Sequence, residues 1–175
     1  MFSVNVPVSG RTKQLANRIH PDLIQFQRMR DRHTLVLKRF DDSLLERGLS
    51  PNQQVAAFRH LLRPLAANTA PFTVRATHID TFDEPPVGSA PVVYLAIESE
   101  PLMEFHRRLV SEFGPIDGLE GEKYTPHVTL ARGGATAVAD RLSEMTVDPI
   151  EWRVTSLDIW DPQFREIAGR ISLTE

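Results

Sequence analysis

Residues 126–134 read PHVTLARGG, and residues 32–40 read RHTLVLKRF. Each is a short apolar run with a histidine near its start and a cation further on, as expected of a strand with one face in a core. In the later run His127 and Thr129 share one face, while Val128 and Leu130 share the other. The apolar pair belongs inside, so the polar pair lines a surface or cleft. The earlier run differs by one residue, because His33 and Thr34 are adjacent. On a strand that difference decides which side chain faces the cleft.

The surrounding sequence gives the two runs equivalent places. Residues 2–8 alternate as a strand, residues 11–27 carry Leu15, Ile19, Leu23 and Phe26 at helical spacing, and Pro21 is expected to interrupt or restart that helix. The strand at 33–40 follows, then a helix from Ser50-Pro51 to about Ala67, then a strand at 71–82. After the loop DEPPVGSAP the order repeats: strand 92–98, helix 101–113 ending at Gly114, the strand from 127, a short helix near 136–145, a strand at 151–160 and a last one in QFREIAGRISL. The order strand, helix, strand, helix, strand thus occurs twice with almost no repeat of sequence. This predicts an α+β fold of one domain with pseudo-two-fold symmetry. Each lobe, residues 1–85 and 90–175, would be an antiparallel sheet flanked by helices, with a cleft between them.

The chain has 175 residues, enough for one sizeable core, with 41% apolar and 25% charged residues. No run is long enough to span a membrane, and the N-terminus lacks the basic-then-apolar pattern of a secretory signal. The expectation is a cytoplasmic monomer. There is no cysteine, so disulfides, thiolate zinc sites and a cysteine nucleophile are excluded. The scattered histidines lack metal-ligand spacing, and neither a phosphate-binding loop nor a dinucleotide or serine-hydrolase motif is present. No metal or cofactor is expected. A net charge of −3 argues against binding long nucleic acid through bulk charge. Any nucleic-acid contact must be local, and residues 28–39 are the candidate, with Arg28, Arg30, Arg32, Lys38 and Arg39 against Asp31. Such a run is otherwise a solvated surface.

An imidazole can exchange a proton near neutrality, and a hydroxyl two residues along can donate to an anionic oxygen. Two such pairs facing each other would set an acid and a base on opposite sides of a phosphodiester. With TPHVTLAR at its centre and VTSLDIWDPQ near its end, nearly the whole chain resembles the 2H phosphoesterase superfamily. Its best-known branch is the 2′-5′ RNA ligase and cyclic phosphodiesterase group, marked by two His-x-Thr/Ser motifs. The resemblance implies a metal-independent phosphoesterase acting on RNA 2′,3′-cyclic phosphate ends or small cyclic or 2′-5′ nucleotides. It implies His127 and His33 as acid–base groups, Thr129 and Thr34 as phosphate-orienting hydroxyls, and RNA ends or nucleotides as partners. Arg132, Arg32 and Lys38 are candidate phosphate contacts, and Tyr124 could stack on a base.

The first motif departs from the family pattern. Anchoring on threonine pairs Thr34 with Thr129, sets Arg32 opposite His127 in the alignment and turns His33 toward the core. Anchoring on histidine pairs His33 with His127 and Lys38 with Arg132 but sets Leu35 at the hydroxyl position. A β-bulge at 33–34 could bring both His33 and Thr34 to the cleft. Without it, a catalytically weak RNA-end or nucleotide binder on the same scaffold is the alternative. Of the other histidines, His20 should be exposed, and His60 and His106 should lie at a helix surface or boundary. His78 is on a strand from which it could reach the cleft, though a structural role is the more common one.

Overall fold

The computed structural model describes residues 1–45 and 48–174. The strands are β1 (Ser3–Val6), β2 (Arg28–Met29), β3 (Leu35–Arg39), β4 (Phe72–Phe82), β5 (Val92–Glu98), β6 (His127–Arg132), β7 (Ile150–Val154), β8 (Ser156–Asp161) and β9 (Glu166–Ser172). The helices are α1 (Gly10–Leu23), α2 (Pro51–Ala67), α3 (Glu100–Phe113) and α4 (Thr136–Ser143). The strands form one antiparallel sheet in the order β7-β4-β5-β6-β3-β1-β8-β9, with β2 laid along β6.

The alternation read from the sequence explains which side is covered. Val4, Val6, Leu35, Leu37, Leu95, Val128 and Leu130 all join the buried core, which also holds Leu15 and Ile19 of α1, Phe58 and Leu62 of α2 and Leu102, Phe105 and Leu109 of α3. Asn5, Thr34, Val36, His127 and Thr129, the alternate positions, face the open side. Three helices start on a serine N-cap, of which Ser50, before Pro51, is the one expected from the sequence. Ser9 and Ser99 accept from the backbone of Thr12 and Leu102, and Gln53 accepts from the Ser50 N–H. Pro21 does not interrupt α1; it sits in its last turn and the helix continues to Leu23.

The sheet has two halves, β3-β1-β8-β9 and β6-β5-β4-β7, and they are not the contiguous segments 1–85 and 90–175. The strand ending the first repeat, β4, pairs with β5 and β7, while β8 returns to pair with β1. The run 151–160, expected as one strand, is therefore two. Ile150–Val154 lies at one edge beside β4, and beyond Thr155 the chain enters the other half beside β1. A strand exchange of this kind is invisible to periodicity, because both pieces alternate in the same way.

Candidate active site

The two halves meet where Leu35 of β3 pairs with Val128 of β6. Each of these strands carries one bulge. On β3 the neighbours Val4 and Asn5 pair with Lys38 and Val36, so Leu37 is the extra residue. On β6 the neighbours Val93 and Tyr94 pair with Ala131 and Thr129, so Leu130 is the extra residue. One shift along the chain carries Leu35 onto Val128, its own partner across the pseudo-two-fold axis, and Leu37 onto Leu130. The same shift carries Thr34 onto His127, Val36 onto Thr129 and Arg39 onto Arg132. TLVLKR, residues 34–39, is thus the mate of HVTLAR, residues 127–132.

This register is neither of those read from the sequence. No bulge lies at residues 33–34; it lies at Leu37, after the motif rather than within it. Arg32, Thr34 and Val36 line the open side, with Arg39 beyond the bulge. His33 does not line it. It points to the other side of the chain, half-buried, where Lys13 and His20 of α1 and Arg30 add to the burial that holds its pKa below the ordinary value. The slot related to that of His127 by the pseudo-two-fold axis is held by a hydroxyl, and the slot so related to that of Thr129 by an apolar valine.

The cleft has a volume of about 900 Å³, within the range of small-molecule sites and far larger than one phosphate. His127 and Thr129 line one wall of its floor, Thr34 and Val36 the other, and Arg39 and Arg132 stand one bulge further along each strand. Thr34 and His127 lie diagonally about the Leu35–Val128 pair, on the two sides of the cleft floor. Phe82 and Trp160 flank the floor at equivalent places, since they pair with Val92 and Ser3 in the two halves. Arg32 reaches across to the backbone carbonyl of Arg165 and lies over the Trp160 ring, 5.9 Å from its centroid.

The His127 ring is fixed. Its Nδ1–H donates to the Thr125 carbonyl at 2.7 Å, which leaves Nε2 with its lone pair. Phe82 and Tyr94 enclose it edge-on, at 5.1 and 5.2 Å between centroids. Burial among these rings, with Arg39, Arg132 and Arg30 nearby, lowers its pKa and favours the neutral imidazole.

Several expected residues sit elsewhere. Lys38 is not in the cleft. The bulge turns it inward, where its ammonium meets Glu120 at 2.6 Å with both side chains buried. Tyr124 touches the cleft, but its ring is stacked on His106 at 3.7 Å and its hydroxyl donates to the Val36 carbonyl, so its face is already covered. His106 is fully buried rather than at a helix surface. His78 is exposed and hydrogen-bonded to Thr77. Arg39 is the cleft residue that the two sequence registers miss, although Leu-x-Arg ends both runs and anchoring on it gives the observed register.

His106 is the centre of a buried clamp. Its Nδ1–H donates to the Leu37 carbonyl at 2.8 Å, and its Nε2 accepts from the Gly121 N–H at 3.2 Å. A second proton would set N–H against N–H. Burial holds the pKa of His106, as of His127 and His33, below its ordinary value. The unfolded chain therefore binds these protons more readily. Their contribution to stability is complete above the unfolded value near 6.5 and is lost as the pH falls through it toward the folded values. The urea midpoint is expected to be lower at about pH 5.5 than at about pH 7.5. Equal midpoints would contradict this account.

Residues 12–163 match the family model described as the 2′-5′ RNA ligase superfamily. The fold is similar to that of TT0787 of Thermus thermophilus, with a TM-score of 0.63 at 19% identity over 98% of this chain and 97% of that one. It is also similar to E. coli LigT complexed with 3′-AMP, with a TM-score of 0.61 at 17% identity over 99% and 98%. A structure described as a phosphoesterase gives 0.60 at 16% identity over 99% and 98%. No curated protein matches the chain. Among the described residues no helix is long and apolar enough to cross a membrane.

Proposed function

This chain belongs to the 2′-5′ RNA ligase superfamily, and from that premise we propose that its cleft binds the phosphate end of an RNA or a small cyclic or 2′-5′ nucleotide and opens a 2′,3′-cyclic phosphate with one acid–base histidine, His127. The observation that carries this is the pairing of a fixed, neutral His127 with a threonine, not a histidine, in the two-fold-related slot. Thr129 and Thr34 donate to phosphoryl oxygens, and the guanidinium groups of Arg32 and Arg39 offset their charge. Water attacks phosphorus, the Nε2 of His127 takes the proton of that water, and a P–O bond to the ribose breaks. The leaving ribose oxygen then takes a proton from solvent, because a threonine hydroxyl does not titrate near neutrality. The step uses no metal or cofactor. E. coli LigT has been crystallised with 3′-AMP and with ATP, which supports a nucleotide as the ligand class here. The reading takes the chain as a cytoplasmic monomer.

The test is a nucleoside 2′,3′-cyclic phosphate incubated with chelator. Slow turnover is expected, falling by about 10²–10⁴-fold in His127→Ala, the usual contribution of one acid–base group. Thr34 in the second slot also favours a second reading, a binder with no turnover. Saturable binding of the same nucleotide without product would select it. Absence of both binding and turnover would defeat the two readings together.

A further inference from the structure

Beside the cleft floor is a concentration of arginines that one phosphate does not use. The short strand β2 runs along β6 with Arg28 directly opposite Arg132, so their side chains leave the same face of a two-strand ribbon. Arg30 continues the ribbon, its N–H donating to the Leu130 carbonyl at 2.8 Å, and alternation returns it to the face of Arg28. Like charges directly opposite one another destabilise a strand pair. Among the described residues none of the three makes an ion pair, while Asp31, the one carboxylate in this stretch, pairs with Arg165 at 3.8 Å.

Arg132 is also held in position. One Nη1–H donates to the Val87 carbonyl at 2.9 Å, and its Nε–H is buried with no partner. The loop above it closes this tightly only because residue 88 is glycine. A Cβ there would lie 2.0 Å from Arg132 Nη1, and its φ is +84°. Arg28 and Arg30 each lower the pKa of Arg132, in addition to its burial, which is the mark of unrelieved mutual repulsion. A ribbon that keeps three neighbouring cations, one with an orphaned buried donor, is built for an anion.

We propose that Arg28, Arg30 and Arg132 form a second phosphate subsite, so that the ligand of this cleft is an oligoribonucleotide carrying at least two phosphates. The proposal rests on the nucleotide reading above for the first phosphate. The strand would leave the His127–Thr34 centre across β2, and the next phosphate would fill the ribbon face. The cleft volume, much larger than a single phosphate, accommodates such a chain.

The experiment compares adenosine 2′,3′-cyclic phosphate with a 5′-phosphorylated dinucleotide ending in the same cyclic phosphate, by calorimetry or fluorescence over a range of salt. The dinucleotide is expected to bind at least about tenfold tighter, the equivalent of one charge-assisted hydrogen bond. Its log–log salt slope should be steeper by about 0.7 for each additional phosphate engaged. In Arg28→Gln the affinity ratio and the slope difference should both collapse. If the mononucleotide binds but added phosphates change neither affinity nor slope, or if Arg28→Gln leaves the ratio as it was, the subsite is overturned and the nucleotide reading stands. If neither nucleotide binds but inorganic polyphosphate does, and Arg28→Gln abolishes that, the subsite stands and the nucleotide reading falls. If polyphosphate does not bind either, the subsite falls as well.

Discussion

Thr34→His combined with Val36→Thr is expected to raise the rate of cyclic phosphate opening by about 10²–10⁴-fold, the contribution of a second acid–base group. The register on β3 says where that group must go. Thr34 and Val36 take the places on β3 that His127 and Thr129 take on β6, related by the same axis that sets Leu35 against Val128. Val36→Thr restores the hydroxyl for the phosphoryl oxygen. The new imidazole would stand across the phosphate from His127 and protonate the ribose oxygen that otherwise waits for solvent. By the same shift Arg32 takes the place of Thr125, whose carbonyl fixes the His127 ring. Both substitutions are on the open side, away from the Leu35 and Leu37 core face, so little stability should be lost. The measurement is single-turnover cleavage of a nucleoside 2′,3′-cyclic phosphate beside wild type and His33→Ala. The register is wrong if the folded double variant is no faster than wild type while His33→Ala is slow.

The fold was legible in the sequence because its signals are local. Alternation, Ser-Pro at the start of α2, Gly114 after α3 and the doubled element order all act within a few residues. The site was legible where β6 states its motif in full, and His127 and Thr129 do line the cleft together. On β3 alternation already set Arg32 and Thr34 toward the cleft and His33 away from it, but the residue equivalent to His127 was not legible, for a physical reason. A histidine beside a threonine draws the eye to those two residues, but the facing of a strand is set by pairing along its whole length. Here the equivalence of the two strands is fixed by the bulges at Leu37 and Leu130, which belong to contacts with Val4–Asn5 and Val93–Tyr94 and turn Lys38 inward and Arg39 and Arg132 outward. The Leu-x-Arg ending common to both runs marked those bulges. The inward turn of Lys38 needed Glu120, far away in the chain, and no pattern local to β3 announces it.

Glu120→Ala is expected to cost about 3–5 kcal/mol, the usual penalty for removing one partner of a buried ion pair, out of a total stability of about 5–15 kcal/mol. Both side chains of the Lys38–Glu120 pair are essentially without solvent, at 0% and 1% exposure, so the ammonium left behind would be unpaired inside the core. The carboxylate does more than balance charge. Its Oε1 accepts the Arg39 N–H at 2.7 Å and its Oε2 the Ile116 N–H at 2.9 Å, so the loop before β6 is pinned to the bulge on β3. Replacing both partners with apolar residues, Glu120→Leu with Lys38→Met, should recover most of the lost stability, because the desolvation of two charges is then avoided. It should not recover ligand affinity. The backbone of Arg39 would still lack the acceptor that holds the bulge, and the Arg39 guanidinium would lose its fixed aim at the phosphate. The measurements are urea midpoints of the three proteins beside their affinities for a nucleoside 2′,3′-cyclic phosphate. A single variant as stable as wild type would remove the buried pair from the account of stability. A double variant that binds as wild type would show that Arg39 needs no such support, and would leave the bulge geometry to the His106 clamp on the Leu37 carbonyl.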